Sequence, residues 1–163
     1  MNRWIVSSGG YDPLHIGHIR HFHEAYLLAR RLNAKLLVML NTDDWCRAKG
    51  KGHPFYPEYD IREAIVASIR WVDRVVPAIG NESSMKPSFE HYIKEYDIVG
   101  FAKGGDRTAE NMPLEEVEAC ERLGITIYYG VGGGAEVKQN PWENSSKILE
   151  NYLERVKLGQ LSV

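Results

Sequence analysis

Trp4-Ile5-Val6-Ser7-Ser8-Gly9-Gly10-Tyr11-Asp12-Pro13-Leu14-His15-Ile16-Gly17-His18 reads as a strand, a glycine-rich turn and the opening of a helix. The apolar start suits a buried strand, and Gly9-Gly10 and Asp12-Pro13 punctuate the chain after it. His15 and His18 stand three positions apart, so they share one face of the helix they open. Unpaired backbone N–H groups at a helix start, together with the macrodipole, attract anions. Two imidazoles beside such amides suit the polyphosphate of a nucleotide. Gly9 and Gly10 allow close approach of the backbone to phosphates, and Gly17 allows the helix start to do the same. Asp12 has two readings, a turn-forming Asx residue or a contact to substrate or metal.

Working outward, five short runs have strand character: residues 4–8, 35–41, 74–77, 97–102 and 126–130. Leu36-Leu37-Val38-Met39-Leu40 is apolar without alternation, as expected for a parallel strand covered on both faces. Helical patterns fall between the strands, at residues 17–31, 59–70, 88–95, 114–123 and 144–158. The first spaces Ile19, Phe22, Tyr26 and Ala29 at helical intervals, and the second spaces Ile61, Ile65 and Ile69 by four. Gly124 suits the residue after a helix end, and Asn144-Ser145-Ser146 suits an N-cap. This alternation predicts an α/β fold with a doubly wound five-stranded parallel sheet, its ligand beyond the carboxyl ends of the strands. No repeat or linker divides residues 1–163, so a single domain is expected. Residues 49–59 and 130–142 read as loops.

Composition narrows the function classes. The chain has 163 residues, of which 44% are apolar and 26% charged, with a net charge of −2. No global basic field advertises nucleic acid as a partner. Cys46 and Cys120 form neither a disulfide framework nor a metal pattern. No apolar run approaches the roughly 20 residues of a membrane span. Met1-Asn2-Arg3-Trp4 leads directly into a strand pattern, so a cytoplasmic chain without a signal peptide is expected. His21 and His23 extend the histidine series, but neither spacing nor a nearby cysteine or carboxylate completes a metal set, and a partly exposed helix face is expected there.

The stretch from Gly9 to His18 resembles the HxGH signature of the cytidylyltransferase-like nucleotidyltransferases, relatives of the class I aminoacyl-tRNA synthetases. The resemblance spans roughly residues 3–155 and implies a Rossmann-like, HUP-type nucleotidyltransferase fold. It implies that His15 and His18 donate to the α-phosphate, with Gly9, Gly10, Tyr11, Asp12 and Gly17 against the nucleotide. In Ala48-Lys49-Gly50-Lys51-Gly52-His53 it places Lys49, as a catalytic group, and Lys51 over the triphosphate. The block Tyr56-Pro57-Glu58-Tyr59-Asp60-Ile61-Arg62, continued by residues 69–77, resembles glycerol-3-phosphate cytidylyltransferases. There Arg62 would contact the phosphorylated acceptor; an intrahelical ion pair is its ordinary alternative.

Lys103-Gly104-Gly105-Asp106 is similar to the matching tetrapeptide of heptose-1-phosphate adenylyltransferases, so Gly104 and Asp106 are expected at the nucleotide, Asp106 also as a contact to Mg²⁺. Ser145 and Ser146 correspond to the motif that binds the β- and γ-phosphates. The arginine common before that motif is missing, and Lys138 is its candidate replacement. The implied activity is transfer of CMP or AMP from CTP or ATP to a sugar- or polyol-phosphate, with Mg²⁺, releasing pyrophosphate. A nicotinamide-mononucleotide-type adenylyltransferase and a non-catalytic nucleotide-binding regulator are the alternatives. The implied partners are a nucleoside triphosphate and a small phosphorylated substrate, without nucleic acid or membrane, in a homodimer.

Overall fold

The structure, a computed structural model, describes residues 2–48, 58–80, 84–104, 107–133, 145–158 and 160. Five strands are present: β1 (Arg3–Gly9), β2 (Ala34–Leu40), β3 (Arg74–Pro77), β4 (Asp97–Gly104) and β5 (Thr126–Val131). Six helices connect or follow them: α1 (Ile16–Arg31), α2 (Asp43–Ala48), α3 (Tyr59–Ala67), α4 (Lys86–Tyr92), α5 (Leu114–Leu123) and α6 (Ser145–Lys157). All strand pairings are parallel, and the order is β3-β2-β1-β4-β5. This is the Rossmann-like doubly wound sheet. The order reverses between β1 and β4, and sheets of this kind bind their ligands beyond the strand ends at such a switch point.

The unbroken apolar character of the strands has its reason in two cores. Ile5, Leu36, Val38 and Leu40 face α1 and α3, meeting Phe22, Ala25 and Val66. Val6, Leu37 and Met39 face the other side, with Trp45, Val76, Phe89, Phe101 and Cys120. Successive residues of one strand therefore serve opposite layers. α5 stops at Gly124, whose φ of 70° is the left-handed C-terminal conformation that the sequence signalled.

Asp43–Ala48, a stretch to which the sequence assigns no element, is a short helix that turns Trp45 and Cys46 inward, each 1% exposed. On α3 the residues that face the sheet are Arg62 and Val66, whereas Ile61 and Ile65 are exposed. Ile61 and Ile65 point outward because a guanidinium with partners across the sheet end occupies the inner face, while Ile69, past the helix end, packs on the core.

Candidate active site

β1 hands the chain to α1 through residues 10–15. Tyr11 adopts φ 49°, a left-handed conformation that is uncommon outside glycine. It turns its side chain back under the strand end, where the ring is 5% exposed and the hydroxyl lies 3.0 Å from Ser7 Oγ. The glycines before it make room for protein as well as for any ligand. A Cβ at Gly9 would sit 3.0 Å from the Tyr11 ring, and one at Gly10 would sit 3.2 Å from Cys46 Sγ. Asp12 is buried beneath the same turn.

His15 is the N-cap of α1, with extended backbone (φ −142°, ψ 172°). Its carbonyl accepts from the backbone N–H groups of His18 and Ile19 at 2.9 and 3.2 Å. An extended N-cap followed by helical residues brings side chains three apart onto one spot. The two imidazoles stack with centroids 3.7 Å apart and planes 23° from parallel. Gly17 lies between them in the first turn, which carries no acidic residue to offset the positive end of the dipole. The pair expected from the sequence is thus assembled at a helix N-terminus whose first turn holds no acidic residue.

A second helix start arrives at the same turn. Ser145 opens α6 and donates from Oγ to Pro13 O at 3.1 Å. The first turn of α6 also lacks acidic residues. Two helix N-termini therefore border the Pro13–His18 segment, a setting that favours a multiply charged anion. Gly104 ends β4, the strand beside β1.

Arg62 braces the other flank. Its guanidinium is 1% exposed and donates to Gly10 O at 2.9 Å, Asn41 O at 2.8 Å and Asp43 Oδ1 at 2.7 Å. Asp43 Oδ2 accepts the backbone N–H of Tyr59 at 3.2 Å. Burial pushes the Asp43 carboxyl up, but the bonds from Arg62 and Tyr59 and the charges of Arg62 and Arg47 outweigh it, so the group titrates below its ordinary value. The intrahelical ion pair weighed for Arg62 is replaced by one to Asp43, in α2. The side chain joins the signature turn, the end of β2 and the start of α2.

His21 is also placed differently from expectation. It is buried, with Nε2 2.7 Å from Ser7 Oγ and Nδ1 2.8 Å from Val131 O, instead of lying on an exposed face. His23 packs near Trp71, with ring centroids 4.7 Å apart. Among the described residues no three His, Cys, Asp or Glu side chains lie together as a metal set.

Sequence reading missed the pair beneath β4. Lys103 Nζ lies 3.2 Å from Glu116 Oε2, while Glu116 Oε1 accepts from Met85 N at 2.8 Å. Burial lowers the Lys103 pKa, and Glu116 pushes it back in part. The acid stands in an ordinary first helical turn, so the sequence offers no signal for the pairing. Lys49, Lys51, Gly105, Asp106, Lys138 and the side chain of Ser146 lie outside the described residues.

The family model described as cytidylyltransferase-like matches residues 6–152. The chain is 33% identical over 143 residues to the glycerol-3-phosphate cytidylyltransferase of Staphylococcus aureus, covering 88% of this chain and 98% of that one. It is 30% identical over 156 residues to the bifunctional protein HldE of Haemophilus influenzae, covering 94% of this chain but only 28% of that longer protein. The crystal structure of the lipopolysaccharide core biosynthesis protein from Thermoplasma volcanium superposes with a TM-score of 0.57 at 24% identity, over 80% of this chain and 94% of the other, a likeness of fold.

Proposed function

This chain belongs to the cytidylyltransferase-like family of nucleotidyltransferases, and from that premise we propose that it transfers CMP or AMP from CTP or ATP to a sugar- or polyol-phosphate. The observation that carries the reading is the stacked His15–His18 pair on the acid-free start of α1. An α-phosphate seated there meets two imidazole donors and the helix N–H groups, all fixed before the reaction.

The acceptor's phosphate oxygen attacks the α-phosphorus in line. The new P–O bond forms as the bond to the bridging oxygen breaks, and that oxygen leaves on pyrophosphate. A phosphate monoester already carries its nucleophilic lone pair at neutral pH, so no base has to remove a proton. The chain's part is positioning and charge stabilisation. His15 and His18 serve the α-phosphate, and the α6 start with Ser145 and Ser146 serves the β- and γ-phosphates. Lys49 and Lys51 are assigned to the leaving side, and Gly9, Gly10, Tyr11, Asp12, Gly17, Gly104 and Asp106 to the nucleotide's surroundings. Arg62 is assigned to holding the turn that carries these groups, through the carbonyl of Gly10.

Mg²⁺ is proposed to enter with the triphosphate, whose oxygens and waters supply most of its ligands, with one or two carboxylates completing the set. Asp12 and Asp106 are the carboxylates assigned to that position. When bound, the ion would neutralise phosphate charge. A homodimer belongs to the same proposal, and light scattering giving twice the chain mass would support it. Among the described residues no helix is long and apolar enough to cross a membrane.

The relatives favour a polyol- or sugar-phosphate acceptor, since one of them is named for glycerol 3-phosphate. The test is pyrophosphate release with ATP and CTP separately against glycerol 3-phosphate, heptose 1-phosphate and nicotinamide mononucleotide. Turnover with one of the first two acceptors supports the reading. Turnover with the mononucleotide alone, or nucleotide binding with no turnover across the panel, overturns it.

A further inference from the structure

His21 sits one helical turn beyond His18 and is buried, against Ser7 of β1 and Val131 at the end of β5. Both of its ring nitrogens have partners, and one of these has a fixed role. Val131 O only accepts, so Nδ1, 2.8 Å away, carries the proton and donates to it. In the neutral ring Nε2 is then an acceptor, and it takes the Ser7 hydroxyl at 2.7 Å. Ser7 Oγ in turn accepts from the Tyr11 hydroxyl at 3.0 Å. With the ring neutral, the chain of bonds has one polarity from Tyr11 to Val131. Ser7 is fully enclosed, Tyr11 is 5% exposed and His21 9% exposed. Burial pushes the Tyr11 phenol up, so it holds its proton.

The relay ends on the catalytic pair. The Tyr11 ring meets His18 edge-on, with centroids 4.9 Å apart at 82°, and His18 stacks on His15. At the other end, the chain leaving β5 crosses directly over α1. Gly132 has φ +90°, and a Cβ there would stand 2.5 Å from His21 Cα. His21 therefore joins the exit of β5 to the orientation of a ring that touches His18.

We propose that His21 is a positioning residue for nucleotidyl transfer, holding His18 in register for the α-phosphate through Ser7 and Tyr11. The reaction it serves rests on the function proposed above; the relay itself does not. Its order matters more than its bulk. In His21→Gln the side-chain oxygen reaches where Nε2 stood and still accepts from Ser7, whereas His21→Asn keeps only the donation to Val131.

Two measurements on the full chain test this. In steady-state kinetics with the turnover pair, His21→Asn and Tyr11→Phe should each lose kcat by about 10- to 100-fold, the scale of a small misplacement of reacting groups. KM for the nucleotide should stay within about threefold, which separates orientation from binding. His21→Gln should keep kcat within about threefold of wild type, and Tyr11→Phe combined with His21→Asn should lose no more than either alone. Equal losses in the Gln and Asn variants, or losses that multiply, would overturn the relay. Tyr11→Phe removes one buried oxygen and guards against a His21 variant that fails to fold.

The second measurement is histidine ¹⁵N NMR, which needs no turnover. The relay predicts that His21 is protonated on Nδ1, and that the His18 ring signals move in Tyr11→Phe and His21→Asn but not in His21→Gln. A His21 proton on Nε2, or His18 signals indifferent to all three variants, overturns the relay. A kinetic panel that is silent while these shifts appear would reject the proposed function and leave the relay standing.

Discussion

Arg62→Met separates a brace from a substrate contact. The wild-type guanidinium is 1% exposed and, among the described residues, makes three bonds of 2.7–2.9 Å, two to the backbone carbonyls of Gly10 and Asn41 and one to Asp43. Each carbonyl bond contributes about 1 kcal/mol net, and the bond to a charged group about 1.5–3 kcal/mol. Asp43 keeps 25% of its side chain exposed, so water recovers part of its loss. Methionine fills much of the space but satisfies none of the acceptors. A destabilisation of about 3–4 kcal/mol follows, near the lower end of the range for breaking a buried ion pair. For a chain of this length that corresponds to roughly 10 °C in Tm.

Urea unfolding at pH 7 measures it, with an unchanged slope against denaturant expected. The pH dependence gives an independent check. The folded Asp43 carboxyl titrates below its ordinary value, the result of Arg62 and Tyr59 prevailing over burial. A depressed carboxylate contributes stability above its unfolded pKa and loses it as pH falls through the folded pKa. The gap between wild type and Arg62→Met should therefore narrow in acid. A variant within about 1 kcal/mol of wild type that nonetheless loses activity would refute the brace and return Arg62 to the acceptor.

Three further outcomes follow from the geometry. Gly132→Ala should cost about 1–3 kcal/mol in chemical denaturation, because its φ of +90° is strained for a side chain and the Cβ meets backbone at 2.5 Å; a neutral substitution would mean that β5 does not cross α1 there. Glu116→Gln should destabilise by about 3 kcal/mol in thermal unfolding, since it leaves the Lys103 ammonium, on a side chain only 13% exposed, without its counter-charge; a change under about 1 kcal/mol would show the lysine hydrated in the native state. Ser145→Ala removes the donor to Pro13 O and should raise the nucleotide KM severalfold while costing only about 1 kcal/mol of stability; an unchanged KM would detach the start of α6 from the nucleotide.

The fold was legible wherever periodicity alone decides it. β3 and α5 occupy the expected residues, and the other strands differ by one or two at their ends. Strands covered on both faces leave a continuous apolar run, and Gly124 marks its helix end, so these signals are local. α2 is not legible because six residues hold too few turns for an apolar period. The inner face of α3 was misassigned for a deeper reason. Hydropathy ranks Ile61 and Ile65 above Arg62, and only tertiary structure supplies the carbonyls of Gly10 and Asn41 that make burial of a guanidinium favourable. The His15–His18 pair was readable because both lie on one turn of one helix. His21 was not, since its partners Ser7 and Val131 lie 14 residues before it and 110 after it.

The central claim is that the stacked histidines act on the reaction's developing charge. It is tested most directly by measuring kcat and nucleotide Kd together, for wild type, His15→Ala and His18→Ala, with the turnover pair found in the panel. The account predicts that each substitution lowers kcat by about 100- to 1000-fold, the loss seen when one preorganised donor to a transition-state oxyanion is removed. Nucleotide Kd should remain within about threefold, because uniform binding is not what the pair supplies. A His18→Ala protein that turns over near the wild-type rate, or loses affinity in proportion to kcat, would contradict the account.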